Sequence, residues 1–319
     1  MEKKINIRRS LWIALLLMMA SGMLFLFYNL GGSWEFALRL RGLKVVAILV
    51  VAGCVAFSSV AFQTLTNNRI LTPSIMGFES LYLLIQTVIV YMYSDHTYRV
   101  LSSIDNFLVS VAGMIGFSFL LYLLIYKKGK DNLYLLLLVG IILGTLFSSL
   151  SSFMQLLIDP NDFFIVQGKM FATFNKINSK LLWPSLGVMT ATLIIGFRMT
   201  RYLDVLALGR DQAINLGLNY NRVVKMFLVM IAVLVSVSTA LIGPITFLGL
   251  LVTNLTYELF GTHKHHLLIT GCIMVSATAL LIGQFLMERV FNLSIPLSAI
   301  INIVGGFYFI YLLLRVKKL

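Results

Sequence analysis

The sequence predicts an all-α, polytopic membrane protein with about ten transmembrane helices, organised as a single transmembrane domain over residues 1–319. Three observations carry that class. Apolar runs near 20 residues recur along the chain, the length a helix needs to cross a hydrocarbon core of about 30 Å. Charged residues make up only 12% of the chain, about half the share found in a soluble domain. The 25 lysines and arginines gather in the short joints between the runs, where membrane topology places them. The alternation of a membrane β-barrel is missing. The formal net charge of +13 is therefore a topology signal and not a nucleic-acid signature.

The elements follow in order. A basic start, MEKKINIRRS, precedes an apolar run from Leu11 to Leu30. That run is longer than the roughly 7–15 residues of a signal-peptide core, so it is expected to be a retained first span. Span 2 is expected from Leu43 to Phe62, after a joint holding Arg39 and Arg41. The stretch Gln63–Ser80 is broken by Pro73 and Gly77, which interrupt a helix. Spans 3, 4 and 5 are expected over Phe78–Tyr93, Asn106–Tyr126 and Leu133–Leu157, with a strongly basic joint at Lys127–Asp131. Asp159–Lys180 mixes aromatic, methionine and polar residues, the pattern of an interfacial helix. Span 6 is expected over Leu181–Phe197, span 7 over Val223–Leu241 and span 8 over Ile245–Leu259. Gly243-Pro244 leaves open whether spans 7 and 8 are one kinked helix. Spans 9 and 10 are expected over Leu267–Leu286 and Leu297–Leu314.

Ten spans put both termini on one side. Of the 25 basic residues, 17 then fall on that side and 8 on the other, so both termini are expected to be cytoplasmic.

The longest polar interlude is Arg198–Lys225, placed inside between spans 6 and 7. Within it Arg210–Leu216 reads as a helix closed by Gly217, about two turns long. So short a helix is marginal alone and needs a scaffold or a docking partner. No GxxxxGK[ST] phosphate loop occurs in the chain, so nucleotide energy would have to come from another protein.

Side chains with chemical potential are few. Glu79 opens span 3, and a membrane carboxylate is functional by default, although it could instead cap a helix N-terminus. His263, His265 and His266 sit in a short basic joint with no cysteine or carboxylate close by in sequence; a partner-facing loop is expected there before a metal site. Cys54 and Cys272 lie inside apolar runs and read as small hydrophobes. Ser148, Ser149, Ser151 and Ser152 could line a pathway or pack helices together. Met170, Phe171 and Phe174 could face a partner or a substrate. No nucleophile–base constellation points to an enzyme.

Three blocks resemble the FecCD-type family, the permease subunits of iron–siderophore ABC importers. The first is Gln63, Asn68, Pro73 and Gly77. The second is Leu208-Gly209, Ala213 and Leu216-Gly217. The third runs from Gly243 to Leu251, with Gly261, Pro296, Gly305 and the ending Tyr311–Arg315 beyond it. The chain departs from the family pattern at Arg69, Leu71 and Thr72, at Thr253-Asn254, and near Gln284. At Arg210 the family more often has an acidic residue. The MGFES run, Thr253-Asn254 and QGKMFATFN look like the branch serving catecholate siderophores such as petrobactin or anguibactin.

The resemblance implies a type II ABC importer architecture in the plasma membrane. Two permease chains, alike or different, would surround a central pathway for a ferric siderophore. A cytoplasmic ABC ATPase would dock on Leu208, Gly209, Arg210, Asp211, Ala213, Leu216 and Gly217. An extracytoplasmic binding protein would dock on Arg41, Lys44 and Arg289. Gln63, Asn68, Pro73, Gly77 and Glu79 would belong to the pathway or its gate. ATP hydrolysis would be the partner's, and no resident cofactor or metal is implied. The rival reading is an ion-gradient carrier, which needs intramembrane acids or broken helices. Haem or cobalamin would be the alternative cargo of an ABC permease.

Overall fold

The structure, a computed structural model, describes residues 7–29, 34–93, 103–126, 133–175 and 177–316. The basic joint at 127–131, most of the joint before span 4, Lys176 and the tail lysines Lys317 and Lys318 lie outside the described residues. Thirteen α-helices and no strand occur among the described residues. They are α1 (Ile7–Phe27), α2 (Trp34–Thr66), α3 (Phe78–Tyr93), α4 (Ser103–Tyr126), α5 (Leu133–Gln155), α6 (Pro160–Lys169) and α7 (Ser179–Arg198). The second half holds α8 (Thr200–Leu206), α9 (Arg210–Asn215), α10 (Tyr220–Ile242), α11 (Leu248–Phe260), α12 (His265–Phe285) and α13 (Leu297–Val316). A 3₁₀ turn, Pro73–Met76, precedes α3, and a π-turn, Leu286–Val290, extends α12.

Among the described residues seven helices are long and apolar enough to cross a membrane: α1, α2, α4, α5, α7, α10 and α12. Three shorter apolar helices, α3, α11 and α13, complete the set of ten expected from the sequence. Bounds agree closely, and for α3 they coincide. Gly243-Pro244 proves to be a true break, with α10 ending at Ile242 and α11 starting at Leu248.

α2 is the exception in length. Its 33 residues give a rod of about 50 Å, and it continues outward through Arg39, Arg41 and Lys44, which the sequence reading left in or at the edge of a joint. It packs against α1, α7, α10, α11 and α12. Its central window is 72% buried, against 22% for α1. A helix apolar all round belongs in the middle of a bundle, and Ala47, Ala52, Gly53, Ala56, Ser58, Ser59 and Ala61 let neighbours approach closely. At Gly196 of α7 any Cβ would collide with the Phe57 ring. α1, α4, α5 and α7 form the periphery, with their apolar side chains outward.

The two ends of the bundle differ. One carries α8 and α9, the end of α2 and the start of α12. The other carries α6, the start of α2 and the π-turn, with the segment after α6 inserted between them. Thr173 N–H donates to the Ile242 carbonyl at 2.8 Å. Ala172 and Phe174 of that segment are buried.

Candidate functional site

Two sets of residues stand out, a short helical lever at one end and a junction of broken helices inside the bundle.

The lever is α9, six residues long. Its existence rests on two glycines in the left-handed region, Gly209 (φ 98°) before it and Gly217 (φ 83°) after it. Residues with a Cβ pay roughly 1–2 kcal/mol to adopt that conformation. Gly217 N–H donates to the Ile214 carbonyl at 2.9 Å, and Leu218 N–H to the Ala213 carbonyl at 3.0 Å, closing the last turn. Asp211 lies in the first turn, where the helix dipole favours a carboxylate. Ala213 is fully buried and pins α9 to the bundle, whereas Leu208, Ile214 and Leu216 are exposed. Arg210 is exposed too, its guanidinium 5.7 Å from the centre of the Tyr220 ring. The result is three exposed apolar side chains on a polar segment outside the spans.

Behind the lever, α8 is tied to two spanning helices through one carboxylate. Asp204 Oδ1 accepts from the His265 backbone N–H at 2.8 Å and from His265 Nδ1–H at 2.7 Å. The other ring nitrogen, Nε2, lies 2.8 Å from Thr64 Oγ1 near the end of α2. The sequence reading placed His265 in a partner-facing loop; it is instead the buried first residue of α12. One histidine among three in a short basic joint gives no hint that its partner lies 61 positions upstream.

The junction gathers Gln63, Asn68, Pro73, Gly77 and Glu79. Gln63 Nε2 donates to the Arg69 carbonyl at 2.7 Å and to Thr253 Oγ1 at 2.9 Å. Asn254 Nδ2 donates to the same carbonyl at 3.1 Å. Asn254 thus binds the Arg69 carbonyl directly and Thr253 reaches it through Gln63, linking two of the positions where the chain departs from the family pattern. The Arg69 guanidinium lies 4.6 Å from the centre of the Tyr257 ring. Asn68 Oδ1 accepts from Ile70 N–H at 2.9 Å, an Asx turn that sends the chain back into the bundle. Pro73 opens the 3₁₀ turn, and Gly77 (φ 87°) ends it. A Cβ at Gly77 would lie 2.8 Å from Gly144 Cα and 3.1 Å from the Gly140 carbonyl oxygen. Gly140 and Gly144, one turn apart on α5, are what let the turn sit against that helix.

Glu79 joins the two broken elements. One carboxylate oxygen accepts from Ser74 Oγ at 2.8 Å, the other from Thr246 Oγ1 at 2.6 Å in the break between α10 and α11. Beside it is a cavity of about 30 Å³ lined by Ser58, Ser59, Ser238 and Thr239 among others. Ser59 faces Gly249 in the first turn of α11. It lies seven residues before the end of α2, about 10 Å inside the bundle. Glu79 is half-buried and Thr246 exposed, so the pair opens onto the surface of this chain.

At the opposite end Arg41, Lys44 and Arg289 are brought near one another, but two are engaged internally. Arg41 is buried, its guanidinium on the carbonyls of Phe25, Leu26, Tyr28 and Asn29 at 2.8–3.4 Å. It caps the C-terminal end of α1. Lys44 Nζ meets Glu288 Oε1 at 2.7 Å and Asn175 Oδ1 at 2.6 Å. Gln284 Nε2 donates to the same two oxygens. Arg289, next to Glu288, and Arg39, on the outer face of α2, are partly or fully exposed. Of the serines on α5, Ser151 is buried against Thr87 at 2.9 Å, and Ser148, Ser149 and Ser152 are exposed.

Residues 7–315 match the FecCD transport family. The chain belongs to that family. Among FecCD proteins it is 54% identical over 295 residues to the petrobactin import system permease protein YclO of Bacillus subtilis, covering 92% of this chain and 93% of that one. It is 36% identical over 320 residues to the petrobactin import permease FatC of Bacillus anthracis, covering 98% and 90%. The fold matches a solved inward-facing metal-chelate type ABC transporter with TM-score 0.85 at 23% identity, over 98% of this chain and all of that one.

Proposed function

We propose that this FecCD chain is a permease subunit of an ABC importer for a ferric siderophore of the petrobactin class, set in the plasma membrane with both termini cytoplasmic. The identities to YclO and FatC support the substrate class. The observation that carries the mechanism is α9, a helix pinned by left-handed glycines with Leu208, Ile214 and Leu216 outward. In this reading α9 sits in a groove of the ATPase, with Gly209, Arg210, Asp211 and Ala213 fixing its pose. ATPase closure moves α9, and α8 carries the movement through Asp204 to α12 and α2. The Glu79 junction is the gate, a small polar latch between two helix breaks that face the pathway shared with a second permease chain. At the outer end Arg289 and Arg39 are the cations free to meet acidic groups of a binding protein, while Arg41 and Lys44 hold that surface in shape.

Leu216→Asp tests the lever. Leu216 is exposed, so the variant should fold normally. Ferric-petrobactin uptake and co-purification of the ATPase should both be lost, and uptake that persists with the ATPase still bound sinks the assignment. Broken helices beside a carboxylate also suit an ion-gradient carrier. Uptake into vesicles by ATP alone, with ion gradients collapsed, separates the two.

A further inference from the structure

A groove of about 560 Å³ opens sideways between α3, α4, α5 and α10. We propose that it holds one acyl chain of an anionic phospholipid, whose headgroup phosphate meets Lys225. Three observations lead there. The lining is apolar along its length, with Ile115, Phe119, Val229 and Val233 among its residues and Lys225 its single charged group. On α10 the lining runs from Lys225 to Val233, and on α4 from Ala112 to Tyr122. Those eight and ten steps span roughly 12 and 15 Å, the depth of one leaflet of a ~30 Å hydrocarbon core. The charge is at one end only. Lys225 lies in the second turn of α10, on the side of α9, with its Nζ 4.7 Å from the centre of the Tyr122 ring. A tyrosine and a lysine at one level mark the headgroup boundary. Arg222, exposed one turn nearer α9, adds a second cation on the same face.

A groove of one-leaflet depth, apolar within and cationic at its mouth, has the shape and charge of a phospholipid with a negative headgroup. Phe119 and Val229 are more than half exposed, so the groove is open to entry from the side. Met76 and Phe78 also line it, and they flank Gly77 and adjoin Glu79. A lipid tail seated there would press on the turn that holds the latch. The leaflet is the cytoplasmic one on the orientation proposed above.

The test is lipid retention by the full chain in membrane discs of phosphatidylglycerol and phosphatidylethanolamine, released and read by native mass spectrometry. The native chain should retain phosphatidylglycerol preferentially. Lys225→Gln should lower that preference roughly five-fold, the equivalent of about 1 kcal/mol for one basic group at the membrane surface. Gly116→Leu should lower retention of both lipids, because a Cβ at Gly116 meets no atom within 4 Å and the side chain can enter the groove without displacing a neighbour. Unchanged preference in Lys225→Gln, or unchanged retention in Gly116→Leu, overturns the proposal. So does disulfide trapping of Val229→Cys to a second copy of the chain, which would make the groove a protein interface. None of these readouts requires transport, so their failure leaves the coupling assignment standing.

Discussion

Replacing Gly77 by alanine probes the most crowded turn in the bundle. Two costs add. At φ 87° any Cβ strains the backbone by about 1–2 kcal/mol. The new carbon would also lie 2.8 Å from Gly144 Cα and 3.1 Å from the Gly140 oxygen. Both atoms are backbone, so α5 itself must retreat, an overpacking cost of about 1–3 kcal/mol. The sum is about 2–5 kcal/mol. Gly217→Ala is the internal control. Its φ is 83°, but no atom lies within 4 Å of a Cβ there, so only the first cost, about 1–2 kcal/mol, applies. The assay is reversible unfolding of the purified chain in mixed micelles titrated with a denaturing detergent, followed by circular dichroism. Gly77→Ala should be the less stable variant by about 1–3 kcal/mol. Equal destabilisation of the two would refute the close contact between the Pro73–Met76 turn and α5.

Further expectations rest on single contacts. Glu79→Ala leaves the Ser74 and Thr246 hydroxyls without their acceptor; hydrogen bonds to a charged group are worth about 1.5–3 kcal/mol, so uptake should fall roughly ten- to a hundred-fold. Glu79→Gln, which keeps the bridge, should retain more, and the order of the two variants in vesicle uptake is the check. His265→Ala should destabilise by about 1–3 kcal/mol in the same detergent titration, since Asp204 keeps only the backbone N–H and buried Thr64 loses the ring nitrogen. Asp204→Asn, which keeps an oxygen for the His265 N–H, should cost less. Arg41→Lys cannot span the four carbonyls that the guanidinium covers, because lysine offers one point of donation where arginine offers a fork. Amide exchange at residues 25–29 should rise, and exchange matching the native chain would show that the cap is dispensable.

The helices were legible because lipid leaves the backbone few choices: an apolar run of sufficient length must be a helix, and α3 begins and ends where its composition changes. The short helix α9 was legible because Gly209 and Gly217 punctuate a polar stretch. α2 was not read at full length because Arg39, Arg41 and Lys44 look like a joint. They are tolerated in a continuous helix because α1 ends beside Arg41 with bare carbonyls, and Glu288 arrives 244 residues later to meet Lys44. No local pattern announces either partner. The break at Gly243-Pro244 was ambiguous for the same reason. What fills the space where a continuing turn would run is the Phe171–Ala172 backbone, a segment that belongs to a different part of the sequence. Glu79 was singled out by its cost in a membrane, but its two partners, one five residues away and one 167, come from the fold alone.

One oxygen atom of Asp204 receives both the backbone and the ring of His265. A joint made of two separate acceptors could loosen in stages, letting α8 drift while α12 stayed attached by half. With a single shared atom, drawing the carboxylate away from α12 lengthens both bonds together. On the coupling proposed above, movement of α9 reaches α12 through this atom as well as through the packing of α8 against α12 and α2.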